Sequence, residues 1–361
     1  MRIGLDITQA VKTRGRGIAR YILNVAPLLA KDRPGLEAVF CIRGQRWFRR
    51  SLVRRIAPAT RRACLPLPFV MNVRGLDLFH SFGNHLPAWS PVPRTFTVHD
   101  FRALDLSGGG RSSRLHRNIE RADGIICLTE HGRSRLMEHY PEFNTACVTV
   151  IPHGVDHQVF YPRDPATVAR RMAAEGLERP FLLQLGSWFP HKNLEMSIRA
   201  YARSRAREQD FDLVFVGGGA PAAYLKSLRE LVQAEGVADR VTWIEDADER
   251  RLPVLLNAAS CLLQPSRYEG FALPLLEAMA SGVPGVVSDS SCLPEVSNGI
   301  WPICGEDDID AFARGIDAMT LDGAMRSEAV RRGLDHAAGF TWRRTADMTA
   351  AFFHDVLATK A

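Results

Sequence analysis

The chain predicts a fold of two doubly wound α/β domains, each built on a parallel sheet. Three observations lead there. Short β-rich runs alternate with helical patterns along all 361 residues, the order that βαβ units leave in a sequence. Several of those runs are continuously apolar, as strands covered on both faces are. The charge also divides the chain. Residues 1–165 hold 25 Lys and Arg against 13 Asp and Glu (25 − 13 = +12), and residues 166–361 hold 21 against 27 (21 − 27 = −6). Halves of opposite sign suit two domains with different partners, and the length suits two ordinary domains.

In the first half the predicted strands are RIGLDI (2–7), AVFCI (38–42), DLFHS (77–81), RTFTV (94–98), DGIIC (123–127) and CVTVI (147–151). In the second half they are FLLQLG (181–186), DLVFVG (212–217), RVTWI (240–244), SCLLQ (260–264) and PGVVS (284–288). Helical patterns lie between them, for example NLEMSIRAYARSRA (193–206) and AAYLKSLRELVQAEG (222–236). The segment FYPRDP (160–165), with two prolines, is the expected linker, and a second junction is expected near Gly339. The domains are therefore expected to span 1–165 and 166–339, with a last helical segment, 340–361, joined to the first.

Composition narrows the class. Hydrophobic residues make up 46% and charged residues 24%, which allows a sizeable core. No apolar run reaches the roughly 18 residues a membrane helix needs. MRIGLDITQA reads as a strand and a loop, not as a signal peptide. Seven scattered cysteines without a C-x-x-C argue against a disulfide framework or a structural zinc site and suit a reducing cytoplasm.

Ligands of open parallel sheets bind beyond the carboxyl ends of strands, and unusual stretches follow two of the predicted strands. QLGSWFPHKN (184–193) places Lys192 just before a helix, where it and the orphan amides suit a phosphate. A lone lysine in a turn is more often only solvated. QPSRYEGFALPLLEAMASG (264–282) places Pro274 where a helix starts and Gly282 where it stops. Glu269 then lies outside the helix and Glu277 a turn inside it. The amides of 271–275 would face a ligand, and the helix dipole would add about 0.3–1 kcal/mol for a phosphate at an exposed end. An acidic first turn has the same sequence, because the dipole favours carboxylates there in any protein.

The segment from Pro265 to Pro284 resembles the E-x7-E signature of the retaining nucleotide-sugar glycosyltransferases, P-S-x-x-E-G-F-G-L-P-x-L-E-A-M-A-x-G-x-P. Pro265, Ser266, Glu269, Gly270, Phe271, Leu273, Pro274, Glu277, Ala278, Met279, Ala280, Gly282 and Pro284 match it. Ala272 stands where the signature has its second glycine. SDSSCLPEV (288–296), with Cys292 for a serine, GSWFPHKNLEMSIRAY (186–201), VIPHGVD (150–156), GRGIARYILNV (15–25) and TVHDF (97–101) resemble further family segments in the same order. The likeness covers almost the whole chain. It is closest to glycosyltransferase family 4, in a branch rich in mannosyltransferases of bacterial polysaccharide and lipopolysaccharide assembly.

The resemblance implies the GT-B arrangement, two Rossmann-like domains facing across a cleft, with acceptor on the first and nucleotide-sugar on the second. It implies a retaining, metal-independent hexosyltransferase with no cofactor, taking a nucleotide-diphosphate sugar to a saccharide or lipid-linked acceptor. His99, Glu269 and Lys192 would be catalytic. Gly17, Ser187, Lys192, Gly270, Phe271, Ala272, Leu273 and Glu277 would bind donor, with Glu277 on the ribose and Glu269 on the sugar hydroxyls. Many relatives carry arginine at the position of Ser187, so the phosphate grip here would rest more on Lys192, with His191 in the place of a frequent arginine. His99 alone reads as an ordinary polar residue, and only the resemblance turns it toward the sugar. Asp100 would orient that histidine, bind acceptor or cap a turn.

Other features stay outside this set. The D-x-D strings at 210–212 and 246–248 lack a phosphate-binding context, so no metal is expected there. VGGGAP (216–221) is not a dinucleotide fingerprint, and the resemblance puts it near the donor nucleotide. SGGGRSSR (107–114) reads as a mobile loop on the acceptor side. Segment 43–62 holds eight arginines and no acid, with Trp47, Phe48, Leu52, Val53 and Ile56 at helical spacing. It is expected either as a solvated basic helix or as a helix on an anionic inner membrane face. Two other functional readings are a sugar-nucleotide epimerase on the same fold and a non-catalytic basic polyanion binder. Nucleic acid is not an expected partner, since only Trp47 and Phe48 interleave the basic stretch as stacking platforms.

Overall fold

A computed structural model of the protein describes residues 1–11, 17–31, 33–49, 51, 61–65, 75–83, 85–106, 114–245, 247–248 and 250–360. The chain divides into two compact units. The first is Met1–Gly154 with Thr341–Ala361, and the second is Val155–Phe340.

The first unit carries a seven-stranded parallel sheet of β1 (Arg2–Asp6), β2 (Glu37–Arg43), β3 (Arg61–Leu65), β4 (Leu78–Ser81), β5 (Arg94–Val98), β6 (Gly124–Cys127) and β7 (Val148–Val150). Its order is β3-β2-β1-β4-β5-β6-β7. The second unit carries β8 (Phe181–Ser187), β9 (Asp212–Gly218), β10 (Val241–Glu245), β11 (Cys261–Gln264), β12 (Gly285–Ser288) and β13 (Ile303–Cys304). Its order is β10-β9-β8-β11-β12-β13, again all parallel. Each sheet reverses its winding once, between β1 and β4 and between β8 and β11. Such a reversal opens a crevice at the strands' carboxyl ends.

The strands carry the core. Leu182, Leu183, Leu213, Val214, Phe215, Leu262, Leu263, Val286 and Val287 are all fully buried, as strands sandwiched between helices must be. β8 and β9 come together very closely at their ends. A Cβ on Gly217 would lie 1.7 Å from the Gly186 carbonyl oxygen, so glycine at the end of β9 is needed for backbone approach. Asp210 and Asp212 of the first D-x-D string bond to the guanidinium of Arg240. Asp246 of the second lies outside the described residues.

Three expectations are corrected. The expected linker 160–165 is packed into the second unit: Phe160 is buried, the Arg163 amide donates to Asn257 Oδ1 at 2.7 Å, and Asp164 caps the helix Pro165–Ala173. Proline here starts a helix, and the division falls after Gly154 instead. Two edge strands, β3 and β13, have no counterpart in the predicted set. β3 begins in the arginine run and β13 is two residues long, so neither shows an apolar pattern. Segment 43–62 is not one helix. Gly44–Arg49 forms 3-10 turns, Arg61 and Arg62 belong to β3, and 50 and 52–60 lie outside the described residues. Nearly all of the 107–114 loop lies outside them as well.

The helix Trp342–Lys360 belongs to the first unit and buries Phe352, Phe353 and Val356. Its start crosses the chain at Gly154, where a Cβ would sit 2.2 Å from the Trp342 amide nitrogen. Only glycine allows two backbones that close. Thr345 adds a hydrogen bond from its hydroxyl to the Pro152 carbonyl at 2.9 Å.

Candidate functional site

The crevice of the second unit is bordered by the segments after β8 and β11. β8 ends at Ser187, and the chain passes through a 3-10 turn, Pro190–Lys192, into the helix Leu194–Arg203. Asn193 joins turn to helix in the left-handed region, with φ 51° and ψ 51°. Asparagine tolerates that conformation better than most residues. Two side chains fix the turn: Gln184 Nε2 donates to the Lys192 carbonyl at 2.8 Å, and Asn193 Nδ2 donates to the Glu306 carbonyl at 3.1 Å. Lys192 is thereby aimed from a rigid support.

From the other side, β11 leads through Pro265–Ala272 into the helix Leu273–Ala280. Lys192 and Glu269, 77 positions apart, meet there with Nζ 2.5 Å from Oε1. Gln264 Nε2 donates to the same oxygen at 2.6 Å and Ser266 Oγ at 2.7 Å. Three donors thus converge on Oε1, and among the described residues none bonds Oε2. Both partners are largely covered, with side-chain exposures of 16% for Lys192 and 10% for Glu269. The pair is therefore shielded from the screening that makes surface ion pairs weak. The loop is also tied to the turn beyond β8, as the Arg267 amide donates to the His191 carbonyl at 2.8 Å.

The helix Leu273–Ala280 starts under constraint. Ala272 precedes it with φ 60° and ψ 58°, a left-handed conformation that costs a non-glycine residue about 1–2 kcal/mol. This is the physical reason for a glycine at this point of the motif, and here the surroundings hold an alanine in it. Two of the amides expected to face a ligand drop out of the set 271–275: Pro274 has no N–H, and the Leu275 amide donates to the Ala272 carbonyl at 3.0 Å. Glu277, on the second turn, is 3% exposed. Phe271 is buried, with its ring centroid 6.4 Å from that of Phe340.

His99 and Gly17 lie in the first unit. Gly17 is the exposed first residue of the helix Gly17–Ala30. His99 follows β5, and its Nε2 lies 2.6 Å from the Phe82 carbonyl. A carbonyl only accepts, so Nε2 carries the hydrogen and Nδ1 presents a lone pair. Burial lowers the His99 pKa, against weaker upward pulls from the Phe82 bond and from Asp100. Asp100 accepts from the Arg102 amide at 3.3 Å, which is a turn-capping contact. His99 belongs to an aromatic cluster around buried Tyr21, whose ring centroid is 5.7 Å from His99, 4.5 Å from His153 and 5.2 Å from Phe82.

Sequence reasoning placed Lys192 and Glu269 but missed the groups that hold Glu269. Gln264 and Ser266 had one shared legible signal, polar residues closing the otherwise apolar run CLLQPS, and Ser266 had a second in its match to the signature. Ser291 and Cys292, which reach Glu269 from after β12, lie in SDSSCLPEV, whose resemblance to a family segment marked the stretch but not its contact with Glu269.

Residues 15–159 match the family model described as Glycosyltransferase Family 4, and residues 167–335 match the model described as Glycosyl transferases group 1. Among curated relatives, a D-inositol 3-phosphate glycosyltransferase of Stackebrandtia nassauensis is 33% identical over 255 residues, 67% of this chain and 56% of the relative. The O-antigen chain mannosyltransferase B of Escherichia coli is 30% identical over 243 residues, 65% of this chain and 61% of the relative. The matches thus span about six-tenths of those relatives' own length. Among solved structures, Anabaena Alr3699/HepE in complex with UDP superposes with a TM-score of 0.78 at 15% identity, covering 98% of this chain and 99% of that one. Sucrose-phosphate synthase from Thermosynechococcus elongatus gives 0.77 at 20% identity, covering 99% of each. At such identities the two structures speak for the fold alone, and that fold is GT-B. The chain belongs to the glycosyltransferases that join a family 4 domain to a group 1 domain.

Proposed function

We propose that the protein is a retaining glycosyltransferase. It would move a hexose, mannose or a similar sugar, from a nucleotide-diphosphate donor to a saccharide or lipid-linked acceptor in glycan assembly. The observation that carries this reading is the meeting of Lys192 and Glu269 at the switch point between β8 and β11, beside the start of the helix Leu273–Ala280. An ammonium has three N–H donors. One goes to Glu269, which leaves donors for a diphosphate at the helix end.

The reaction needs one bond exchange. The bond from the sugar's anomeric carbon to the diphosphate oxygen breaks, a bond to the acceptor oxygen forms, and the acceptor proton passes to the departing diphosphate on the same face. Lys192 and the amides of 270–273 stabilise the charge that grows on the leaving group. Glu269 holds a sugar hydroxyl through Oε2, and His99 is a further catalytic candidate. No metal or cofactor enters any step. The centre of the basic segment 43–62 lies outside the described residues, and Arg61 and Arg62 at its end belong to β3.

The two glutamates separate the roles. Glu277→Ala is expected to weaken binding of the product nucleoside diphosphate by about 10- to 100-fold, the loss from one hydrogen bond to a charged group. Glu269→Ala is expected to leave that affinity nearly intact and to lower turnover. Titration calorimetry with the nucleoside diphosphate measures the first, and initial rates the second. If Glu269→Ala abolishes nucleotide binding while Glu277→Ala does not, the assignment is reversed.

A further inference from the structure

Glu269 sits in an irregular loop, so its peptide groups have no sheet or helix partner. Backbone groups that are covered must still be satisfied, and here two consecutive residues after β12 do it. The Glu269 amide donates to Ser291 Oγ at 2.9 Å, and the Cys292 thiol lies 3.3 Å from the Glu269 carbonyl oxygen. Ser288, the last residue of β12, donates from its hydroxyl to the Ser266 carbonyl at 2.6 Å. Ser291 adopts φ 52°, a left-handed conformation disfavoured for serine, and the surroundings must hold it there. Cys292 is fully buried, and burial first, then the nearby carboxylates of Glu269 and Glu295, push its thiol well above the ordinary range. It stays a neutral donor.

We propose that Ser291 and Cys292 are positioning residues of the transfer reaction: they clamp the peptide of Glu269 from both sides and so set the aim of its carboxylate at the donor sugar. This rests on the catalytic role proposed for Glu269. The clamp acts on the backbone, while Lys192, Gln264 and Ser266 act on the carboxylate. The two sets fix different degrees of freedom of one residue. A thiol is a weak donor, so serine at 292 preserves the contact and alanine removes it.

A double-mutant cycle tests the proposal on the full-length protein. Ser291→Gly removes the acceptor and relieves the left-handed backbone, so a merely structural serine would give an equal or more stable and equally active enzyme. The expected result is instead an unchanged or higher melting temperature, donor KM within twofold of wild type, and kcat lower by about tenfold, the weight of one hydrogen bond. Cys292→Ala is expected to lower kcat and Cys292→Ser to restore it. In a Glu269→Ala background, Ser291→Gly is expected to have no further effect on kcat. Wild-type kcat in Ser291→Gly, or a kcat loss that persists undiminished in the Glu269→Ala background, would overturn the clamp. Full activity of Glu269→Ala alone would instead remove the catalytic reading on which the clamp rests.

Discussion

Lys192→Ala is expected to lower turnover by about 10²-fold or more with donor saturating, the usual cost of losing one electrostatic contact to a charge that develops in the transition state. The expectation follows from geometry. The lysine side chain leaves a turn held by Gln184 and Asn193, and ends in the switch-point crevice against Glu269. Its removal leaves the largely covered Glu269 carboxylate without its cation, held only by Gln264 and Ser266 on one oxygen, so some loss of stability is expected beside the loss of turnover. Lys192→Arg should not restore full activity, because a planar guanidinium is not a substitute for a compact ammonium at a short contact. The check is kcat at saturating donor together with a thermal melt. Comparable turnover in a well-folded Lys192→Ala enzyme would take Lys192 out of the reaction.

Acid is expected to weaken the first unit before most of its carboxylates titrate. His80 is fully buried between Thr95 and Thr97, at 2.9 Å and 3.3 Å, and burial lowers its pKa to about 3. His99 is lowered by burial, and His153 is held well below the ordinary value by burial, by His99 and by Arg20. In each case the folded value lies below the unfolded value of about 6.5. The folded chain therefore binds fewer protons than the unfolded chain between the two values. The stability is fully present above the unfolded value and drains away as pH falls toward the folded one. The slope is about 1.36 kcal/mol per pH unit per histidine, so His80 alone costs about 2 kcal/mol by pH 5. Buried Asp6 works in the opposite direction, because desolvation raises its pKa despite Arg43 and Thr8. The histidine contribution is therefore isolated by comparison with His80→Asn. Urea melts from pH 8 to pH 5 should show a steeper loss in the wild type than in the mutant. Equal slopes would mean that His80 is not kept neutral by the fold.

Much of this was legible in the sequence, and the reasons differ from residue to residue. The apolar runs at 181–186 and 284–288 marked strands because they are buried on both faces, which leaves little else in those stretches. Lys192 and Glu269 could be placed because each follows such a strand, where an α/β sheet binds its ligands. β13 escaped because two residues at a sheet edge carry no period. FYPRDP misled because proline marks a helix start as readily as a linker, and the Asp164 cap before Pro165 was the clue that favoured the helix. Ser291 and Cys292 stood in a segment marked by its resemblance, but their contact with Glu269 was not legible. They meet Glu269 through a long-range fold contact, 22 and 23 positions along the chain, and no local pattern encodes it.

The most direct test is a thermal-shift series with UDP-, GDP-, ADP- and dTDP-sugars, run on wild type, Lys192→Ala and Glu277→Ala. The central claim is that the switch point of the second unit grips a nucleotide-diphosphate sugar. One donor at about 100 times its dissociation constant should then stabilise the wild type by about 2.7 kcal/mol. The same concentration should do much less for either mutant. If no nucleotide-sugar shifts the wild type, or if the shift survives intact in both mutants, the donor does not bind where Lys192 and Glu269 meet.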